Sequence, residues 1–105
     1  MKHIKLMPDY QCFPLWDLTP DAYGDLDPKA LPISELLQGQ LMDWARTYDQ
    51  TLNWQDPARS GFVTVEAKNS FEAEGLRLAD QLREELGAEF SVLAKIDASV
   101  HSGLS

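Results

Sequence analysis

The chain has 105 residues, with 17 acids against 9 bases and a formal charge of -8. That length fits one domain and leaves little room for a second. The acid excess argues against nucleic acid and anionic membrane surfaces as partners, because phosphate contacts draw on Lys and Arg. It suits a basic protein partner, whose approach a negative field speeds, and it equally serves solubility. Apolar residues at 44% are enough for one core.

Cys12 is the only cysteine, which rules out an intramolecular disulfide and a disulfide-stapled secreted fold. The opening MKHIKLMPDY is too poor in apolar residues for a signal peptide. No apolar run approaches the ~20 residues that span a bilayer. A cytoplasmic location is the default expectation.

In chain order, Lys2 to Met7 alternates, with Ile4 and Leu6 on one face, and predicts a short strand. Five of the six prolines, Pro8, Pro14, Pro20, Pro28 and Pro32, then exclude a regular helix through most of residues 8 to 32. Cys12 to Trp16 is a candidate second strand, which Pro14 would confine to a sheet edge. Tyr23-Gly24-Asp25 and Asp27-Pro28 read as turns.

The first helix should begin at Ser34, an N-cap followed by Glu35 in the first turn. Leu37, Leu41, Trp44, Ala45, Tyr48 and Leu52 form its apolar stripe, weakened at Gly39, with a stop at Asn53. A loop, WQDPARSGF, follows with Asp56-Pro57 and Ser60-Gly61 as turn signals. The second helix should run from Thr64, as cap, to Leu86, with Gly87 ending it. Its buried stripe is Phe71, Gly75, Leu78, Ala79, Leu82 and Leu86, and Gly75 on that stripe permits a close approach by another element. Arg77, Asp80, Gln81, Glu84 and Glu85 should face solvent. Phe90 to Ile96 alternates as the clearest strand.

This order predicts an α+β domain over residues 1–97: two antiparallel-packed helices form one layer on a small sheet that includes the N- and C-terminal strands. The proline-rich segment should cover whatever part of the sheet the helices leave open. Residues 98–105 are expected to be a flexible tail.

Chemistry is hard to find. A reactive cysteine needs a base or cation nearby, and neither His3 nor His101 shares a local motif with Cys12. Cys12 between apolar neighbours therefore reads as a packed thiol. Asp21, Asp25 and Asp27 lack calcium-loop spacing. There is no phosphate loop and no nucleophile elbow. No cofactor is expected, and the chain reads as a non-enzyme.

What remains is electrostatic. No basic residue lies between Lys5 and Lys29, while Asp9, Asp17, Asp21, Asp25 and Asp27 do, with Tyr10, Phe13, Trp16 and Tyr23. Acids give association rate and partner choice, and aromatics give buried contact area. Asp17, Asp21, Asp25 and Asp27 are the candidate charge contacts to a partner, with Tyr23 as anchor. The competing reading places the aromatics in the core and the aspartates as hydrated turn caps.

Several segments together resemble a family of short bacterial proteins. They are KLMPDYQCFPLW (Lys5 to Trp16), DPKALPIS (Asp27 to Ser34), WARTYDQTLN (Trp44 to Asn53), DPARSGF (Asp56 to Phe62) and AEGLRLADQLREELG (Ala73 to Gly87). The likeness covers about residues 4 to 90 and leaves out the tail beyond Ile96. The family is that of immunity proteins of contact-dependent growth inhibition and related polymorphic-toxin systems. The resemblance implies binding and neutralisation of a cognate toxin in the cytoplasm. Such toxins are often nucleases with basic clefts, which an acidic inhibitor can occupy. It carries no binding motif onto particular residues. Two other readings stay open: a non-enzymatic structural or adaptor domain, dimeric through Trp44 and Tyr48, and a small enzyme using Cys12 or the Asp21, Asp25 and Asp27 cluster.

Overall fold

Ile4 and Leu6 alternate with charged neighbours and lie wholly buried in the first strand, β1 (Lys2–Leu6). The computed structural model describes residues 2–21, 23–52, 55, 61–62 and 64–96. After β1 come β2 (Leu15–Asp17), β3 (Gly24–Leu26), α1 (Glu35–Asp49), α2 (Val65–Leu86) and β4 (Phe90–Ala94). Short 3-10 turns stand at Pro28–Ala30 and Gly87–Glu89. The strands form one mixed sheet in the order β3-β2-β1-β4. β1 is antiparallel to β2 and parallel to β4, so the first and last strands pair as expected. The two helices pack on one face of this sheet, which makes the α+β two-layer domain.

Two strand expectations need correction. β2 starts at Leu15, and it is internal, between β1 and β3. Pro14 stands just before the strand, where its missing N–H costs no ladder bond, and its carbonyl accepts from Met7 N at 2.9 Å. Gly24 and Asp25, read as a turn, belong to β3, with Leu26↔Leu15, Asp25↔Trp16 and Gly24↔Asp17 as partners. Tertiary pairing overrides the turn propensity of a Gly-Asp pair.

The helices follow their caps. Ser34 Oγ accepts from Leu37 N at 3.2 Å, and Thr64 Oγ1 accepts from Ala67 N at 3.0 Å. Gly87 ends α2 with a φ of 74°, a conformation that favours glycine. The six residues named for the α2 stripe are the buried ones. α1 ends at Asp49, earlier than expected, leaving Leu52 beyond it. The expected stop at Asn53, the Asp56-Pro57 turn, Ser60 and the tail lie outside the described residues.

Contacts along the helix pair run in opposite directions: Tyr48 and Trp44 meet Phe71, Gln40 meets Arg77, and Ser34 meets Glu85. The helices are antiparallel. Trp44 stacks on Phe71 at 4.5 Å and donates its indole N–H to the Phe71 carbonyl at 2.9 Å. Only 3% of Trp44 is exposed, so it is core and offers little to a dimer interface. A Cβ at Gly75 would stand 2.6 Å from Trp44 Cζ2 and 2.7 Å from Ile96 Cδ1. Gly75 is thus the point where α1 and the end of the sheet close on α2.

Glu85 is more than a solvated residue. Its carboxylate accepts from Ser34 N at 2.6 Å and Ser34 Oγ at 3.0 Å. It therefore sits at the positive end of α1, joining the start of one helix to the last turn of the other. The Ser34 backbone bond, then the Gln81 amide, holds its carboxyl below the ordinary range.

Gly75→Ala gains helix propensity of about 1 kcal/mol but overpacks a site that costs about 1–3 kcal/mol, so urea unfolding should show net destabilisation. Gly39→Ala, with nothing within 4 Å of its new Cβ, should stabilise by up to about 1 kcal/mol. Equal signs for the two would contradict the packing described. For Glu85, a depressed carboxyl pKa stabilises the fold above the ordinary glutamate range, and the effect is lost as pH falls through it. Wild type should exceed Glu85→Gln in urea midpoint at pH 7, with the gap closing by about pH 3.

Candidate functional site

The aspartates of residues 17 to 27 sit on the β2–β3 hairpin, and their positions along it decide which face each meets. Side chains alternate along a strand. Asp17 shares the helix-side parity of its partner Ile4, at the end of the sheet. Its carboxylate accepts from Thr19 N at 2.9 Å and pairs with Lys2 Nζ at 3.3 Å, with 13% of its side chain exposed. The Thr19 bonds, helped by Lys2, lower its pKa. Asp27 is half-buried, and its Oδ1 accepts from Lys29 N at 2.9 Å, capping the 3-10 turn that follows. Both act as structural acceptors.

Asp21, Tyr23 and Asp25 are the exposed members of the set. Asp21 lies in the hairpin turn. Asp25 pairs with Trp16 on the face away from the helices, and its Oδ2 accepts from Phe13 N at 3.1 Å. Tyr23, 58% exposed, lies 6.3 Å from the Trp16 ring, centroid to centroid. Lys5 Nζ lies 6.0 Å from the Trp16 centroid and 5.7 Å from that of Tyr23, and donates to Tyr23 Oη at 3.3 Å. That spacing is within reach of a cation–π attraction. The hairpin therefore presents a braced tyrosine beside two carboxylates.

The loop before the hairpin gathers acids that sequence reading left apart. Gln11 has a φ of 60°, in the left-handed region, and its N–H donates to Asp49 Oδ1 at the end of α1 at 2.9 Å. Tyr10 stacks on Tyr48 at 4.5 Å and shares a hydrogen bond with Thr51 Oγ1 at 2.9 Å. The segment thus reaches the end of α1, while the Met7 carbonyl accepts from Trp16 and Phe13 N donates to Asp25 of the sheet's second face. Burial, with Tyr10, Asp9 and Asp49 beside it, pushes the Tyr48 phenol up to about 12. Asp25, Asp49, Gln11, Cys12, Phe13 and Met42 line a pocket of about 200 Å³. Asp49 sits far along the chain, at the last position of α1, and only the fold brings it here.

Cys12 is half-exposed at that pocket, not a core thiol. Desolvation, then the carboxylates of Asp9, Asp25 and Asp49, push its pKa up. A thiolate is disfavoured there, which opposes nucleophilic use. Among the described residues, no group of three or more His, Cys, Asp or Glu is placed to hold a metal ion, and no helix is long and apolar enough to cross a membrane. A second concavity, about 410 Å³, lies between the helices over Trp44, Phe62 and Phe71. Its rim acids, Asp43 and Glu74, are already paired with Arg46 and Arg77.

The model of the Serratia CdiI immunity protein-like family matches residues 2–94. No curated protein matches the chain. With that match spanning all four strands and both helices, the chain belongs to the Serratia CdiI immunity protein-like family.

Proposed function

We propose that the chain is an immunity protein that binds a cognate toxin of a contact-dependent growth inhibition system in the cytoplasm. It neutralises the toxin stoichiometrically, by protein–protein contact and without catalysis. The observation that carries this reading is the family match over residues 2–94. The net charge of -8 adds the partner's chemistry: a basic protein, of the kind a nuclease domain with a cationic cleft would be.

Within the candidate set, Asp21 and Asp25 act as charge contacts and Tyr23 as the aromatic anchor. Asp17 and Asp27 contribute mainly by shaping the hairpin, because their carboxylates hold Thr19 N and Lys29 N.

The test is co-expression with the toxin domain encoded beside this gene, followed by binding of the purified pair. Growth should be protected, and nucleic-acid cleavage by the toxin should stop at one inhibitor per toxin. Raising salt should slow association about tenfold or more, as expected for a steered encounter. Asp21→Lys, which alters an exposed turn, should lower the association rate more than the dissociation rate is raised. Absence of protection, or inhibition by far fewer than one inhibitor per toxin, would defeat the reading.

A further inference from the structure

A small two-layer domain has a second sheet face to account for. On an antiparallel sheet the solvent face normally carries polar side chains. Here the strand registers place one lateral row across all four strands, on the face opposite the helices. Leu93 of β4 pairs with Lys5 of β1, Lys5 with Trp16 of β2, and Trp16 with Asp25 of β3. Leu93 is 54% exposed, and Tyr23, folded over Trp16 and Lys5, is 58% exposed. Among the described residues the other large exposed apolar side chains, Leu36, Val65 and Leu76, lie on the helices.

The row has a direction. It is apolar at β4, cationic and aromatic in the middle, and anionic at β3. The Lys5 charge faces the two rings and the Tyr23 hydroxyl, and none of the ion pairs among the described residues includes it. At the β3 end Asp25 keeps one carboxylate oxygen beyond its bond to Phe13 N, and the exposed Asp21 stands in the adjoining turn. Strands about 4.8 Å apart make the row about 14 Å wide. That is the size of an interface centre, not of a whole interface, which takes about 800 Å² per partner.

We propose that this outer sheet face is the docking surface for the toxin, an inference that rests on the immunity reading above. The occupant is a basic protein surface. An apolar side chain of the toxin sits on the ledge of Leu93, Trp16 and Tyr23, and a Lys or Arg beside it meets Asp25 and Asp21. Charge complementarity at the β3 end of the row, beyond Lys5, favours this face over the helical groove. The groove's rim acids are neutralised by their own arginines, whereas no ion pair among the described residues takes up Asp21 or Asp25.

The test compares full-length variants for binding to the purified toxin domain from the neighbouring gene. Leu93→Glu and Tyr23→Ala alter exposed side chains, and unfolding midpoints check that each stays folded. Each should weaken binding about tenfold or more, as central interface positions do. Thr47→Lys, on the helical groove, should stay within about threefold of wild type. If wild type binds and protects while both face variants bind as tightly, the face is wrong and the immunity reading stands. If wild type does not bind at all, both fall. Light scattering of the chain alone should show a monomer; a dimer that Leu93→Glu dissociates would give the face to a second copy and overturn the proposal.

Discussion

The parallel pairing of β1 with β4 is the constraint on which the rest depends. It joins Lys2–Leu6 to Phe90–Ala94, nearly the full length of the described chain, and places Ile4 beside Val92 and Leu6 beside Ala94. Parallel neighbours need a crossover, and here the crossover contains everything else. The hairpin β2–β3 adds to the free side of β1, and both helices must then lie against the one face that Ile4, Leu6, Leu15 and Val92 make apolar. Gly75 sets how tightly they close. Without a Cβ it admits Trp44 and Ile96 together, so α1, α2 and the end of β4 meet at one point. Among the described residues no further helix lies on the second face, and that face is where the exposed row lies.

The acidity of the chain has two physical uses, separated by what each carboxylate touches. Five aspartates and one glutamate act as backbone acceptors among the described residues. Asp9, Asp49 and Asp25 take the N–H groups of Tyr10, Gln11 and Phe13, satisfying a loop that has no ladder of its own. Asp17, Asp27 and Glu85 do the same for Thr19, Lys29 and Ser34. Charge-assisted bonds of this sort are stronger than neutral ones, and they let a proline-rich segment be fixed without regular secondary structure. The remaining exposed acids set the long-range field. Burial, then the carboxylates gathered around Cys12, pushes its thiol pKa up, so the arrangement that shapes the loop also disfavours the thiolate.

Much of this was legible from residues. The helices announced themselves through Ser34, Thr64 and Gly87, because capping is a local exchange between a side chain and its own backbone. The α2 stripe was readable for the same reason: a 3.6 period needs no knowledge of the partner. β3 was not, since three residues containing Gly24 and Asp25 become a strand only when Leu15–Asp17 pairs with them. Pro14 misled in the same way, by standing one residue outside a strand it seemed to demote. Glu85 looked solvated on its own helix, and its role comes from the N-terminus of the other. Among the candidate contacts, Asp17 and Asp27 could not be told from Asp21 by type or spacing. A free carboxylate and a capping one differ only in what folds against them. The Leu93–Lys5–Trp16–Asp25 row depends on three registers at once and leaves no mark in the sequence.

The row also bears on the proposed role of Tyr23 as an anchor. A mobile side chain loses rotamer freedom when it is pinned in an interface, at about 0.5–1.5 kcal/mol for flexible ones. Tyr23 has few rotatable bonds, and its ring already rests against Trp16 and Lys5 with its hydroxyl engaged. Trp16 is held in turn by its indole N–H to the Met7 carbonyl at 3.0 Å. Met7 is tied back to Pro14 at the start of β2. The ordering cost is therefore met in folding, by contacts that run back to the central strand. Lys5 has a part in this that its charge alone does not suggest. On β1, beside the acidic hairpin, it forms no ion pair among the described residues. It sits against two aromatic rings and leaves Asp25 and Asp21 outside any ion pair among the described residues.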